Sequence, residues 1–180
     1  MKYLSILFLS VLLISCHDVK KKEQLTKVDA LIASNDSIYR AYRTKEADSV
    51  SFTRIIQQIM DVELRIKRNY ETDTVNLDFA KKMDAYKLVR KRLKPLGKIA
   101  SQLAFGYEEE KKALTNLRTD IDSGSGDKSK YDEFIQYEQN KVDQLRVLVK
   151  ELVKTHDESV ETFNRLHPEL DAFSRSLVKL

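Results

Sequence analysis

Few side chains in this sequence could bind a metal or act as nucleophiles or general bases. Its 180 residues include three histidines and one cysteine. No HExxH motif, no Glu-x-x-His motif and no pair of histidines one helical turn apart occurs, so helical zinc and di-metal sites lack their ligands. A GxSxG nucleophile elbow is also absent, and the four glycines are too scattered to form a phosphate-binding loop. We therefore predict that the protein is not an enzyme and has no metal and no cofactor.

The single cysteine lies at the end of an apolar N-terminal stretch. Lys2 is followed by a mostly apolar run over residues 3–14, and then by Ser15 and Cys16. A positive residue, an apolar run of about a dozen residues and a small residue before the cleavage point are typical of an export signal. Because a helix needs about 20 apolar residues to cross a bilayer, we expect residues 1–15 to be removed and not retained as a span.

Residues Leu13-Ile14-Ser15-Cys16 resemble the lipobox of bacterial lipoproteins, and this resemblance covers residues 1–16 only. It implies that the Cys16 thiol carries the lipid, palmitate among its acyl chains, and becomes the new N-terminus after cleavage. Two or three acyl chains anchor a protein stably in a membrane. His17, not an aspartate, follows the cysteine, which favours the outer over the inner membrane of the cell envelope. The alternative is an ordinary secretory signal that leaves Cys16 as a free thiol.

A second candidate site is a run of positive charge. Residues 77–98 contain eight basic and two acidic side chains, a local charge of +6 in a chain whose formal net charge is +4. The candidate binding residues are Lys87, Arg90, Lys91, Lys94 and Lys98. Four of them, the lysines, follow helical spacing about 100° away from the apolar stripe of the same segment. They are predicted to form a continuous basic flank.

A basic flank attracts polyanions. Outside the cytoplasm these would be anionic lipid head groups, acidic envelope polymers or an acidic envelope protein. Nucleic acid is not expected as a partner, because no aromatic side chains alternate with the charges to stack on bases. The alternative is a solvated helix face whose charges are neutralised by residues 108–110 or by carboxylates of a neighbouring helix.

The elements that position these residues are predicted to be long helices. A third of the chain is charged, tryptophan is absent, and glycine and proline number four and two. This composition is typical of helical proteins and not of sheet proteins. Polar interruptions at residues 71–76 and 122–127 separate three helical segments, about 25–70, 76–121 and 128–180, the last with a kink or restart at Pro168.

The third segment has the clearest helical pattern. Apolar residues alternate at spacings of four and three, which is typical of a coiled-coil-like seam. Its members are Tyr131, Ile135, Val142, Leu145, Val149, Leu152, Phe163, Leu166, Leu170, Phe173, Leu177 and Leu180. His156 lies on the same stripe. Such a histidine could specify register, bind a partner or sense pH, or it could be a boundary residue hydrogen-bonded to a carbonyl or a carboxylate.

These patterns predict an all-α fold, an elongated antiparallel three-helix bundle with coiled-coil-like packing, with a four-helix bundle as the alternative. Residues 16–24 are predicted to be a lipidated flexible tether, and residues 25–180 a single helical domain. We expect a membrane-anchored lipoprotein of the bacterial cell envelope that is a non-enzymatic binding or scaffolding module. The alternative function is that of a periplasmic chaperone-like holder of unfolded outer-membrane clients.

Replacing Cys16 by serine tests the lipid anchor. Because serine has no thiol to accept the lipid, the Cys16→Ser variant is expected to leave the membrane fraction or to stall in processing. Membrane fractionation and mass spectrometry of the N-terminus check this. If the variant stays membrane-bound and is still cut at the same place, the predicted anchor is wrong.

Overall fold

The computed structural model describes the backbone of residues 2–47, 49–71 and 76–178, and the side chains of residues 19–44, 52–71 and 76–178. The described residues form α-helices without any strand, which confirms the predicted all-α bundle. The helices are α1 (Lys2–Ala47), α2 (Ser49–Asn69), α3 (Leu77–Leu93), α4 (Leu96–Ser123) and α5 (Tyr131–Ser176), and a single 3₁₀ turn (Lys128–Lys130) precedes α5.

The chain divides into two compact units. Unit 1 comprises Met1–Tyr39 and Ala104–Val147, and unit 2 comprises Arg40–Leu103 and Leu148–Leu180. A single domain over residues 25–180 was expected. The division falls inside α1, α4 and α5.

Unit 1 packs segments of α1, α4 and α5 around one core. Asp29 of α1 contacts Arg118 of α4 at 2.6 Å, and Asp36 of α1 contacts Tyr107 of α4 at 2.8 Å. The residue number rises along α1 as it falls along α4, so the two helices are antiparallel. The core consists of Val28, Leu31, Leu114, Leu117, Ile121, Tyr131, Ile135 and Val142.

Unit 2 repeats this arrangement with α2, α3 and the second half of α5. Glu63 of α2 lies 3.1 Å from Arg90 of α3, and the rings of Tyr70 and Phe79 are 5.1 Å apart, so these helices are also antiparallel. Their buried side chains follow the helical periodicity that places one face of each helix inward. They include Ile55, Ile59, Val62, Ile66, Met83, Tyr86, Val89, Leu93, Leu152, Phe163, Leu166 and Leu170.

The flexible tether predicted for residues 16–24 is not found in the part of it whose side chains are described. Residues 19–24 belong to α1. Lys20 forms an ion pair with Asp132 at 2.9 Å, and the Gln24 amide donates to the same carboxylate at 2.7 Å. The expectation was wrong here because it relied on apolar periodicity, whereas this turn of α1 is held by polar contacts to the start of α5.

Proline interrupts the predicted segment 76–121 but not α5. α3 ends at Leu93 and α4 begins at Leu96, on either side of Pro95. α5 runs through Pro168 without a restart, and Leu166 and Leu170 on either side of it are both buried. α1 continues through Asn35, whose side chain is 1% exposed. Residue 48, between α1 and α2, lies outside the described residues.

The connection between α4 and α5 is a tight loop. Gly124 and Gly126 have φ angles of 70° and 77°, a backbone region that favours glycine. Asp127 caps the 3₁₀ turn by accepting a hydrogen bond from the Ser129 amide at 3.0 Å. The Tyr131 hydroxyl donates back to the Asp120 carbonyl at 2.9 Å, which fixes the hairpin between the two helices.

Truncation of Leu114 tests the packing of unit 1. This side chain is fully buried in the core, so Leu114→Ala is expected to lower the free energy of unfolding by about 2–5 kcal/mol. Phe105 on the same helix is 70% exposed, and Phe105→Ala should stay within about 0.5 kcal/mol of the wild type. Urea unfolding followed by circular dichroism measures both. Equal effects of the two substitutions would contradict the assigned core.

Candidate functional site: a basic flank on α3 and α4

The basic flank is built on a helix whose start and inner face are well defined. The Asn76 side chain caps α3 by accepting a hydrogen bond from the Phe79 amide at 3.0 Å, as its position before the helix predicts. Tyr86 and Val89 are buried and fix the inner face, so the side chains about 100° away from them face solvent.

The turn between α3 and α4 preserves the helical phase. Lys94 has φ −53° and ψ −45°, which are helical values, and its amide donates to the Arg90 carbonyl at 3.0 Å. The Ile99 amide donates to the Pro95 carbonyl at 3.1 Å, one turn later. Pro95 has no amide hydrogen to donate but its fixed φ suits the first turn of a helix. Lys98 on α4 therefore continues the row that begins on α3.

Lys87, Lys91, Lys94 and Lys98 form this row, which we call the lysine row. All four are exposed. No carboxylate of a described residue lies within 4.0 Å of any of their ammonium groups. Like charges three or four residues apart destabilise a helix by about 0.2–0.5 kcal/mol per pair. The lysine row thus carries positive charge that the described part of the protein does not neutralise.

Three of the four other basic residues of this region pair with carboxylates of neighbouring helices. Arg90, predicted as part of the binding site, is half-buried and lies 3.1 Å from Glu63 on α2. Arg92 and Lys82 reach carboxylates of α5, namely Glu158 at 3.3 Å and Glu169 at 2.7 Å. The alternative of neutralisation by neighbouring helices therefore applies to these three residues and not to the lysine row.

A buried ionic cluster lies in unit 1, which the sequence did not predict. Glu110 is 1% exposed, and its Oε2 lies 2.7 Å from Nζ of Lys141, which also contacts Glu138 at 2.8 Å. Its Oε1 has no hydrogen-bond partner. Burial raises the pKa of Glu110, and the Lys141 ammonium only partly offsets this effect. The signal in the sequence was a single acidic residue on an otherwise apolar stripe of α4.

Two histidines lie inside unit 2 with structural contacts. His156 is buried, packs on the Phe52 ring at a centroid distance of 4.9 Å and has its Nδ1 2.6 Å from the Asp157 carboxylate. Burial lowers the pKa of His167 and raises that of Tyr86. The Tyr86 hydroxyl and Nδ1 of His167 are joined by a hydrogen bond of 2.5 Å.

Polar side chains also line a pocket of about 420 Å³ at the α4–α5 loop. Three lysines are among its lining residues. Lys20 and Lys21 are paired with Asp132 and Asp122 at 2.9 and 3.3 Å, whereas Lys128 has no carboxylate of a described residue within 4.0 Å. No group of three or more histidine, cysteine, aspartate or glutamate side chains that could hold a metal ion occurs among the described residues.

The predicted lipidation site, Cys16, has a side chain that lies outside those the structure describes. Within the described part of the chain, no helix is both long enough and apolar enough to span a membrane.

No family model, curated protein or solved structure matches this chain. The proposed function is therefore based on the geometry of the residues of this chain. That geometry adds two residues the sequence analysis did not single out, Met60 and Leu64 on α2, which are apolar but 46% and 45% exposed. In the sequence, both residues lie outside the apolar stripe formed by Ile55, Ile59 and Val62, and this position could have indicated that they are exposed.

The pKa of Glu110 predicts a pH dependence of stability. Because the folded state holds this proton more tightly than the unfolded chain, whose glutamates titrate near 4.5, the contribution of Glu110 to stability is fully present below that pH. It is expected to fall as pH rises through the folded-state pKa. Glu110→Gln should remove the part of the pH dependence of the free energy of unfolding that is due to Glu110. Glu109→Gln, at an exposed neighbour, should not. Urea unfolding at a series of pH values tests this, and parallel curves for wild type and Glu110→Gln would refute it.

Proposed function

We propose that this protein is a lipid-anchored helical module of the bacterial cell envelope that binds a polyanionic partner without catalysing a reaction. The lipobox-like residues at Cys16 support the anchor. The lysine row supports the binding role, and it is the single observation that carries it. A membrane anchor would hold the row close to the envelope, where anionic polymers and acidic proteins are available.

The energetics favour a polyanion over a single small anion. Each lysine near an anionic surface contributes about 1 kcal/mol, so one contact is weak while four contacts made together are substantial. Binding would also relieve the repulsion between neighbouring lysines of the row. A polymer, or a protein with several carboxylates, can satisfy all four ammonium groups at once.

The rigidity of the row supports the same role. Its lysines are attached to helices whose inner face is buried, for example through Tyr86 and Leu93, which are 0% and 1% exposed. The backbone therefore loses little conformational freedom on binding, and the cost is confined to the side chains. A scaffolding module benefits from such a preformed surface.

Neutralising the lysine row tests the proposal. Replacing all four lysines by glutamine is expected to weaken binding of the full chain to isolated cell envelopes at least about tenfold at low salt. Raising the ionic strength of the wild-type assay should mimic this loss, because salt screens charges on exposed surfaces. Co-sedimentation over a range of envelope concentrations provides the affinities.

The matched control removes four other exposed lysines that have no carboxylate of a described residue within 4.0 Å, namely Lys112, Lys130, Lys150 and Lys154. This control changes the net charge by the same amount and should bind as the wild type does. Unchanged binding after substitution of the lysine row would exclude a polyanion partner at this site. It would instead favour the chaperone-like holder, whose binding depends on apolar surface.

A further inference from the structure

Two exposed apolar side chains of α2 lie on the side of that helix that faces α3. At 100° per residue, Met60 and Leu64 are about 100° and 140° from the buried Ile59, on the same side as Glu63. Glu63 contacts Arg90 of α3 at 3.1 Å. Met60 and Leu64 therefore lie on the solvent-exposed part of the flank of α2 that borders α3.

The lysine row lies on the opposing side of the same groove. Arg90 is about 40° from the buried Tyr86 around α3, and the four lysines follow in the same direction at about 80–140°. The ion pair between Glu63 and Arg90 thus forms the floor of a groove between α2 and α3. One wall of the groove carries Met60 and Leu64, and the other carries the lysine row.

The register of the two helices brings the apolar and basic walls to the same level. Glu63 lies level with Arg90, and Tyr70 lies level with Phe79 in this antiparallel pair. Met60 is therefore level with the turn that holds Lys91, and Leu64 with the turn that holds Lys87. We call this surface the amphipathic groove.

We propose that the amphipathic groove binds an acidic amphipathic helix of a partner protein. This inference rests on the proposed function and names its partner. The lysines are spaced by four, three and four residues, which is the spacing of one side of a helix over about 16 Å. A partner helix with carboxylates at the same spacing would place each one opposite an ammonium group, and leucines beside them would cover Met60 and Leu64.

Charge and exposure favour this occupant. Glu63 is 19% exposed in its side chain and is already paired, so the groove presents net positive charge to an incoming acidic helix. Met60 and Leu64 are 46% and 45% exposed, so apolar side chains of a partner helix can cover them while its carboxylates face the lysine row.

A designed probe tests the inference on the full chain in a non-ionic detergent. The probe is a fluorescent helical peptide of three heptads, with glutamates at alternating spacings of four and three and leucines beside them. A scrambled peptide has the same composition and charge. Fluorescence anisotropy is expected to show at least about tenfold tighter binding of the ordered peptide than of the scrambled one.

Substitutions then separate the apolar wall from the charges. Met60→Ser combined with Leu64→Ser should reduce the affinity for the ordered peptide to that for the scrambled peptide. The control pair, Leu77→Ser with Val178→Ser, removes apolar side chains outside the groove that are at least as exposed, at 70% and 46%, and should leave the affinity unchanged. Circular dichroism of each variant checks that the helices are retained.

Other outcomes would overturn the inference. If ordered and scrambled peptides bind equally while substitution of the lysine row weakens both, the proposed function stands and the helical partner is wrong. If vesicles of phosphatidylglycerol, and not of phosphatidylcholine, displace the peptide and bind more tightly, the occupant is a lipid surface. If sedimentation detects a dimer that the Met60 and Leu64 substitutions dissociate, the occupant is a second copy of this chain. If the peptides bind equally and neither they nor cell envelopes depend on the lysine row, both proposals fail.

Discussion

Burial of the apolar stripe of α5 is the interaction on which both units depend. Unit 1 buries Tyr131, Ile135 and Val142 from this helix, and unit 2 buries Leu166 and Leu170. A fully buried side chain of this size contributes about 1.5–3 kcal/mol. The chain has a single cysteine and therefore no internal disulfide, so this burial must offset the loss of conformational entropy on folding.

Polar residues on the inner faces constrain how the helices align. Ser159 satisfies its hydroxyl within α5 by donating to the Thr155 carbonyl at 2.6 Å, so it leaves the register free. Glu110 is different because its carboxylate depends on Lys141 of another helix. An unpaired buried charge costs about 3–5 kcal/mol, so a shift of α4 along α5 that separated the two would be penalised. The ion pair between Glu110 and Lys141 thus favours the alignment of α4 and α5 that packs Leu114 and Val142 in one core.

The basic residues of α3 illustrate a division between charges that hold the fold and charges that remain available. Arg90 lies between helices and reaches Glu63, and its apolar stem covers part of the interface. Lys91, the next residue, points about 100° further around the helix and meets no carboxylate of the described residues. A step of one residue, about 100° around the helix, therefore decides whether a basic side chain pairs with a neighbouring helix or stays exposed. The ammonium groups of the lysine row remain unpaired with carboxylates of described residues because their positions around the helix lie beyond those that contact a neighbouring helix.

Helical periodicity and composition were sufficient to predict the all-α bundle, the exposure of the lysines at helical spacing on α3 and α4, and the inward face of α5 through Pro168. Each of these depends on residues close together along the chain, where spacing alone fixes which face a side chain occupies. The contacts of residues 19–24, the pairing of Glu110 with Lys141 and the position of Met60 and Leu64 beside the lysine row were decided by the tertiary structure. They join helices far apart in sequence, and the level at which two helices meet depends on how their side chains pack together.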